Sequence, residues 1–506
     1  MSSKVFSAAL IGLDCAIVEV EADTSPALPG IFVVGLPDKA VDESRERVRS
    51  AIKNSGLKMP RGKVTINLAP ADLKKEGPSY DLPIAISVVL TQKNLKRINE
   101  EKSLFVGELA LDGQLRGVNG VLSICLAAKQ NGFAALYLPK INAKEASLVP
   151  GLKIFGCQDL VEVINHLAGK ITLAPFAIDH DKIFGPRQIS ELDMAYVKGQ
   201  QQVKRALEIA AAGGHNVLMS GPPGAGKTLL AKTMTTILPE MAPTEALEVT
   251  RIYSVSSLLP AEQPLMTNRP FRSPHHTASG VALVGGGTWP KPGEISLAHR
   301  GILFLDELPE FPRHVLENLR QPLEDGVVCV SRAAGTLHFP AKFILIAAMN
   351  PCPCGYLSDP DRQCSCFPAA IIKYQKKISG PLLDRIDLHV EVPKVKFDKL
   401  ADNQLAESSE KIRARVTAAR QCQLNRFSGL NILTNNEMSS RQTKEFCPVD
   451  EKTLALLRQA VTQLNLSARS YFRILKLACT IADLANEEKI KLEHVAEALQ
   501  YRPKVE

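Results

Sequence analysis

The sequence predicts a multidomain α/β protein with a parallel sheet at its centre and an all-helical C-terminal end. Three observations lead there. At 506 residues the chain holds about three domains of ordinary size. The apolar run Asn216 to Ser220 breaks into a glycine-rich turn and then a helical period, the order of a strand, a loop and a crossover helix. Beyond Pro393 only helical periods remain.

Apolar residues make up 45% of the chain, charged residues 23% and aromatics 5%, which excludes a long disordered or fibrous chain. No apolar run approaches the roughly 18 residues that a membrane helix needs. Val5 to Leu13, behind Lys4, has leader-like hydrophobicity, but Asp14 cuts it short and no small-residue cleavage pattern follows. The chain is therefore expected in the cytoplasm, without a membrane partner. Net charge is +8 and evenly spread, with 20 basic against 18 acidic residues over 1–165 and 41 against 35 in the remainder. Such an excess permits a polyanionic partner without identifying one. Of 11 cysteines, four are clustered; the rest stand singly in apolar surroundings, as buried thiols do in a reducing compartment.

Taken in order, residues 1–165 alternate strand-like segments (Ile31 to Gly35, Val64 to Leu68, Leu104 to Val106, Ala135 to Leu138) with helical ones (Asp38 to Asn54, Leu82 to Leu90, Leu122 to Asn131). That alternation reads as an α/β domain. Residues 166–195, with Pro175, Gly185 and Pro186 and little hydrophobic period, read as a linker. Residues 196–393 carry the strand, turn and helix and two further buried strands, Ile302 to Leu305 and Phe343 to Ala348. Residues 394–506 contain helical periods at Leu454 to Leu464, Ser470 to Asn486 and Leu492 to Tyr501, a helical end domain.

The turn after Ser220 reads Gly221-Pro222-Pro223-Gly224-Ala225-Gly226-Lys227-Thr228, the spacing G-x-x-x-x-G-K-[ST] in its required setting. Glycines let successive backbone N–H groups turn toward phosphate oxygens, and the following helix adds its partial positive charge. Lys227 would reach the terminal phosphates and the Thr228 hydroxyl would bind Mg²⁺. ATP and Mg²⁺ are therefore the expected cofactors. A second element follows at Ile302-Leu303-Phe304-Leu305-Asp306-Glu307, an apolar strand ending in two carboxylates. Asp306 would hold the ion, and Glu307 would orient or deprotonate the attacking water. Asn350, at the end of the next buried strand, is a polar group placed to position that water. Arg385, in Gly380 to Asp387, is a candidate to stabilise charge developing on phosphate. On its own an ion pair with Asp384 or Asp387 explains Arg385 equally well. Arg469, at the start of a helix in the end domain, is a further candidate, and Arg473, one turn along, is its rival.

With these residues the chain resembles AAA+ ATPases of the magnesium-chelatase-like branch and, more closely, the YifB/ComM proteins. The resemblance spans nearly the whole chain. Its most specific stretches are Arg269 to His276, Pro292 to His299 and Asn350 to Gly355. It implies Walker A for Gly221 to Thr228, Walker B for Asp306 and Glu307, and sensor 1 for Asn350. Arg385 would be an arginine finger acting in trans and Arg469 the sensor 2 arginine. It also implies a homo-hexameric ring, an N-terminal Lon-protease-like domain and, from the ComM members, DNA branch migration in natural transformation. Gly77-Pro78-Ser79 stands where Lon-type proteases carry their serine, whereas the candidate lysine positions hold apolar Leu122 and Ile124. A serine without an adjacent base is a poor nucleophile, so this domain is expected to be proteolytically inactive.

Two insertions are where such a ring would meet its substrate. Gly280 to Glu294 contains Gly285-Gly286-Gly287, Trp289 and Lys291, and Val327 to Arg332 with Thr336 to Phe339 reads as a β-hairpin. Lys291 and Arg332 are candidates to grip phosphates and Trp289 to stack on a base of single-stranded or branched DNA; a buried tryptophan and a surface-paired arginine are the alternative. A recombinase filament is a further expected partner. Cys352, Cys354, Cys364 and Cys366 can close a tetrahedral Zn²⁺ site, although C-x-C is tighter than the usual spacing, and unliganded thiols are the competing assignment. His275 and His276 are taken as structural. The competing function is a chelatase-type motor that remodels a protein partner.

Overall fold

A computed structural model describes residues 2–36, 38–92, 102–177, 191–260, 263–287, 290–332, 335–395, 404–463 and 466–502. The chain divides into two compact units, Met1–Pro186 with Pro243–Thr267, and Arg187–Ala242 with Asn268–Glu506. The sequence expectation kept 196–393 together as one core, whereas the structure assigns 243–267 to the first unit.

The first unit is built on a seven-stranded mixed sheet in the order Gly30–Val34, Lys63–Ala69, Asp14–Ser25, Ser3–Ile11, Ser103–Phe105, Ala135–Pro139 and Lys153–Cys157. Strand alternation decides which side chains face inward. In Lys63–Ala69 every second residue is buried, so Val64, Ile66 and Leu68 enter the core. The run Val5 to Leu13, set aside above for its hydrophobicity, supplies most of the central strand Ser3–Ile11, which pairs antiparallel with Asp14–Ser25. Helix Lys39–Asn54 starts where the Asp38 carboxylate accepts a hydrogen bond from the Val41 N–H at 2.8 Å, a cap that contributes about 1 kcal/mol. It buries Val41, Val48, Ala51 and Ile52.

Helix Asp81–Leu90 is apolar on nearly every face and lies wholly inside. Its one buried charge, Asp81, accepts hydrogen bonds from Arg47 at 2.7 and 3.0 Å and from the Leu109 N–H at 3.1 Å. Burial pushes the Asp81 carboxyl up to about 6 against the opposing pull of Arg47. Helix Pro243–Val255 belongs to this unit and makes polar contacts within it. Arg251 donates to the Leu13 carbonyl at 2.6 Å and to Asp14 at 2.7 Å, and Ser254 donates to buried Glu145 at 2.5 Å. The two positions at which a Lon-type lysine was sought, Leu122 and Ile124, are buried apolar residues of helix Val121–Gln130.

The second unit has a five-stranded sheet in the order Phe271–Arg272, Ile302–Leu305, Ile344–Met349, Val217–Ser220 and Leu388–Glu391, with every pairing parallel. Fully buried strands such as Ile302–Leu305 and Ile344–Met349 have no polar face, the pattern of a sheet covered on both sides. Val217 and Met219 pack with Ala206, Leu207 and Ala210 of helix Gln201–Gly213. Because the strands are parallel, the loops after Ser220, Leu305 and Met349 leave from one edge, and these three strands are immediate neighbours.

The C-terminal helices Ser409–Arg426, Ser440–Phe446, Glu451–Gln463, Ala468–Leu484 and Leu492–Gln500 share that core: Val416, Leu457, Ile474 and Leu477 belong to the same buried cluster as Val217 and Ile346. A buried polar knot ties helix Ala468–Leu484 to the end of the sheet. Asp387 accepts from Arg473 at 2.8 Å and from the Asn216 N–H at 3.1 Å, and His215 bonds to Thr480 at 2.8 Å. Burial alone would raise the Asp387 carboxyl, but Arg473 and His215 outweigh it and hold it below the ordinary range. Breaking such a pair from one side leaves an uncompensated buried charge.

Candidate functional site

Each group of the site stands at the end of one of the three neighbouring strands. Strand Val217–Ser220 delivers the loop Gly221 to Gly226 and helix Lys227–Ile237. Gly226 has φ +85°, a left-handed conformation that favours glycine, and a Cβ on Gly221 would sit 2.3 Å from the Val392 carbonyl oxygen. Lys227 is buried, and its Nζ donates to the carbonyls of Gly221 at 2.6 Å and Pro222 at 3.0 Å and to Asn350 Oδ1 at 3.1 Å. Burial pulls the Lys227 ammonium below its ordinary range, with Asp306 and Glu307 opposing. Among the described residues the ammonium therefore has carbonyl and amide partners but no bonded carboxylate, which suits a phosphate-binding cation.

Strand Ile302–Leu305 delivers Asp306, whose Oδ2 accepts from the Thr228 hydroxyl at 2.8 Å. A hydroxyl and a carboxylate thus meet at one point, the oxygen set that Mg²⁺ takes. Glu307 has φ +52°, uncommon for a residue with a side chain, and its carboxylate lies 3.3 Å from His276 Nδ1. Strand Ile344–Met349 delivers Asn350, bonded to Lys227 as above. Lys227 thus meets Asn350 and Thr228 meets Asp306, with Glu307 the residue that follows Asp306.

His276 was not singled out for chemistry, yet it touches Glu307. Its ring also lies against that of His275, with centroids 4.0 Å apart and planes tilted by 34°. The only sequence signal for it was its place in the stretch Arg269 to His276.

The two candidate arginines converge elsewhere in this unit. Arg385 is 5% exposed and forms an ion pair with Glu324, and Arg469 donates to the other oxygen of Glu324 at 2.5 Å. The partner of Arg385 is thus neither Asp384 nor Asp387, the partners that the sequence offered. Arg473, the rival of Arg469, is committed to Asp387. Burial pushes the Glu324 carboxyl up, but the two guanidinium groups outweigh it and hold it below the ordinary range. Among the described residues, neither arginine bonds to the loop Gly221 to Thr228, Asp306, Glu307 or Asn350.

The four clustered cysteines meet directly after Asn350. Sγ atoms of Cys352 and Cys354 are 3.4 Å apart, those of Cys352 and Cys364 3.7 Å and those of Cys354 and Cys364 3.6 Å. All four sulfurs, Cys366 included, lie within 4.8 Å of one another. Tetrahedral zinc with Zn–S bonds of about 2.3 Å places its sulfurs about 3.8 Å apart, so the donor set fits. Backbone N–H groups of Tyr356 and Ser365 pull the Cys354 thiol down, whereas burial and the neighbouring thiols push Cys364 and Cys366 up. Gly355 packs this loop onto the phosphate-binding turn, where a Cβ would lie 2.6 Å from Pro223 Cδ.

Of the insertions, Val327–Arg332 pairs antiparallel with Gly335–Pro340, as a hairpin requires. Lys291 is exposed in a short strand pair with Gly285–Gly286. Trp289 and the side chain of Arg332 lie outside the described residues. Among the described residues no helix is long and apolar enough to cross a membrane.

Family models agree with this architecture. One for the magnesium chelatase subunit ChlI matches residues 193–400, another for the ChlI subunit of Mg-chelatase matches 20–142, and a third for the ChlI C-terminal region matches 406–502. They define the class as magnesium-chelatase-like AAA+, for which ATP hydrolysis with Mg²⁺ is implied. The competence protein ComM of Haemophilus influenzae is 46% identical, the match covering 99% of this chain and 97% of that one. YifB of Escherichia coli is 43% identical over 99% of this chain and 97% of its own length. Lon protease 3 of Sorangium cellulosum is 28% identical over 34% of this chain and 21% of its own. The chain belongs to the ComM and YifB family of magnesium-chelatase-like AAA+ ATPases.

Proposed function

We propose that this chain is an ATP-driven DNA helicase or translocase that assembles as a homo-hexamer in the cytoplasm and promotes branch migration of recombination intermediates during natural transformation. Relatedness to a competence protein over 99% of the chain carries this reading. In it, the loop Gly221 to Thr228 holds the nucleotide phosphates, Thr228 and Asp306 hold Mg²⁺, and Glu307 and Asn350 orient the water. Arg385 and Arg469 act on nucleotide charge, with Arg385 serving the neighbouring subunit. Lys291, Arg332 and Trp289 contact DNA, and a recombinase filament delivers the substrate.

The test is a labelled three- or four-stranded junction incubated with the purified protein, Mg²⁺ and ATP. Strand exchange that requires hydrolysable ATP is expected, together with DNA-stimulated ATPase activity. A protein that hydrolyses ATP indifferently to DNA and leaves the junction intact would refute the reading. The chelatase models favour one other assignment, a motor that remodels a protein partner inserting Mg²⁺ into a porphyrin; stimulation of turnover by such a partner instead of DNA would select it.

Within this reading the Cys352, Cys354, Cys364 and Cys366 loop holds a structural zinc that stiffens the segment after Asn350. About one zinc per chain is expected by elemental analysis of protein purified without chelator. Stripping it should lower the melting temperature and ATP turnover together, because the loop rests on Pro223. Metal-free protein of full activity would remove the assignment.

A further inference from the structure

A cleft of about 760 Å³ opens between the turn that follows Glu307 and helix Pro368–Gln375, the helix that leaves the cysteine loop. Its wall is cationic: Arg313, Lys373, Lys376 and Lys377 line it with Glu310 as the one acid, and Lys377 takes that acid at 3.2 Å. Among the described residues, Arg313, Lys373 and Lys376 have no carboxylate within ion-pairing distance. Apolar surface is interleaved with these charges. Ile372 is 52% exposed, and Phe367, just before the helix, is 80% exposed.

Cations without an ion-paired carboxylate, on and facing a helix whose N-terminal flank carries an exposed aromatic ring, suit a single nucleic-acid strand, since phosphates take the cations and an unstacked base takes a ring. We propose that this cleft is a second single-stranded DNA contact, with Arg313, Lys373 and Lys376 on the backbone and Phe367, outside the cleft at the start of its helix, under a base of the same strand. The proposal rests on the DNA reading above and adds a site to it.

The cleft is lined by elements that adjoin Glu307 and Asn350. One wall is the turn Leu308–Glu310 that Glu307 starts. The other is a helix fixed to the site by Tyr374, a buried residue hydrogen-bonded to the Asn350 backbone. A strand seated here would bear on the Glu307 and Asn350 ends of two neighbouring strands at once.

The experiment compares the full-length protein with K373E/K376E by fluorescence anisotropy on a labelled single-stranded oligonucleotide over a range of salt. A duplex of equal length serves as the second arm. Loss of two phosphate contacts should flatten the slope of log affinity against log salt by about 1.4 and weaken binding at least tenfold at low salt. F367A should weaken single-strand binding by about fivefold or more while leaving the salt slope and duplex binding unchanged. An unaltered melting temperature shows that each variant is folded, and K373Q/K376Q stands in should the charge reversal fail to fold. If the wild type binds DNA and the double variant matches it in affinity and slope, the cleft is refuted alone. If the wild type binds no DNA, the functional reading falls and the cleft with it. A variant that binds DNA normally but fails to assemble places a neighbouring protein in the cleft, which also overturns the proposal.

Discussion

Glu307→Gln is expected to lower ATP turnover by about 10²- to 10⁴-fold, the contribution of a positioned general base, while nucleotide binding stays within a few fold of wild type. The separation follows from which groups touch what. In the proposed reading phosphate binding draws on the loop amides and on Lys227, whose partners are Gly221, Pro222 and Asn350, and Glu307 accepts none of those bonds. Glutamine keeps the size of the side chain and an oxygen that His276 can meet at the 3.3 Å seen for the carboxylate, so the loop has no steric reason to move. The left-handed backbone of Glu307, φ +52°, also survives the exchange, and such a conformation costs on the order of 1–3 kcal/mol that the surrounding fold must offset. What is lost is the negative charge that polarises or accepts a proton from water. Single-turnover hydrolysis and equilibrium binding of a fluorescent ATP analogue check the two halves separately. Turnover within tenfold of wild type would remove Glu307 from the role, and a parallel collapse of nucleotide affinity would make it a structural residue. Junction migration should stop in the same variant.

The parts of this site that were legible in the sequence are those in which chemistry and structure share a few consecutive residues. Asn216 to Thr228 announces itself because a fully buried strand, a turn needing glycine conformations and a helix start must follow one another in that order. Asp306 and Asn350 were legible for the same reason, as polar residues that end uninterrupted apolar runs. The edge strand Phe271–Arg272 is two residues long and Leu388–Glu391 follows a stretch read for its arginine, so neither had enough period to be recognised. The hairpin of Ser3–Ile11 and Asp14–Ser25 was missed because its first strand was weighed as a leader-like apolar run. Pairings between distant residues left no trace at all. Arg385 and Glu324 are 61 positions apart, and Arg469 and Glu324 are 145 apart. A single sequence offers nearby carboxylates such as Asp384 and Asp387 as more economical partners. The assignment of 243–267 to the first unit was equally hidden, since Arg251 and Ser254 look like ordinary helix-surface residues until Asp14 and Glu145 are found beneath them.

Arg385→Ala is expected to lower turnover by about 10³- to 10⁵-fold, the range for an arginine that meets transition-state charge on a transferring phosphoryl group. The structure gives this variant a second possible effect that has to be told apart from the first. Arg385 is nearly buried and shares Glu324 with Arg469, so its removal also takes away an ion pair. A planar guanidinium that pairs with a carboxylate presents the same donor geometry to a phosphate, and two arginines held on one partly exposed carboxylate can be handed over when a more highly charged anion arrives. Mixing separates the alternatives. Subunits carrying Glu307→Gln and subunits carrying Arg385→Ala should each be inactive alone. In mixed rings of the proposed assembly, a site with intact Glu307 would receive Arg385 from its neighbour, so activity should reappear and rise with the fraction of mixed interfaces. Arg385→Lys should not substitute, because an ammonium lacks the fork. If mixing restores nothing, and Arg385→Ala instead shows a lowered melting temperature with intact turnover at low temperature, the pair with Glu324 is structural and the nucleotide must find its positive charge elsewhere. Glu324→Gln then discriminates further. Releasing both arginines should speed turnover if the carboxylate holds them in reserve, and should only destabilise the fold if it anchors them.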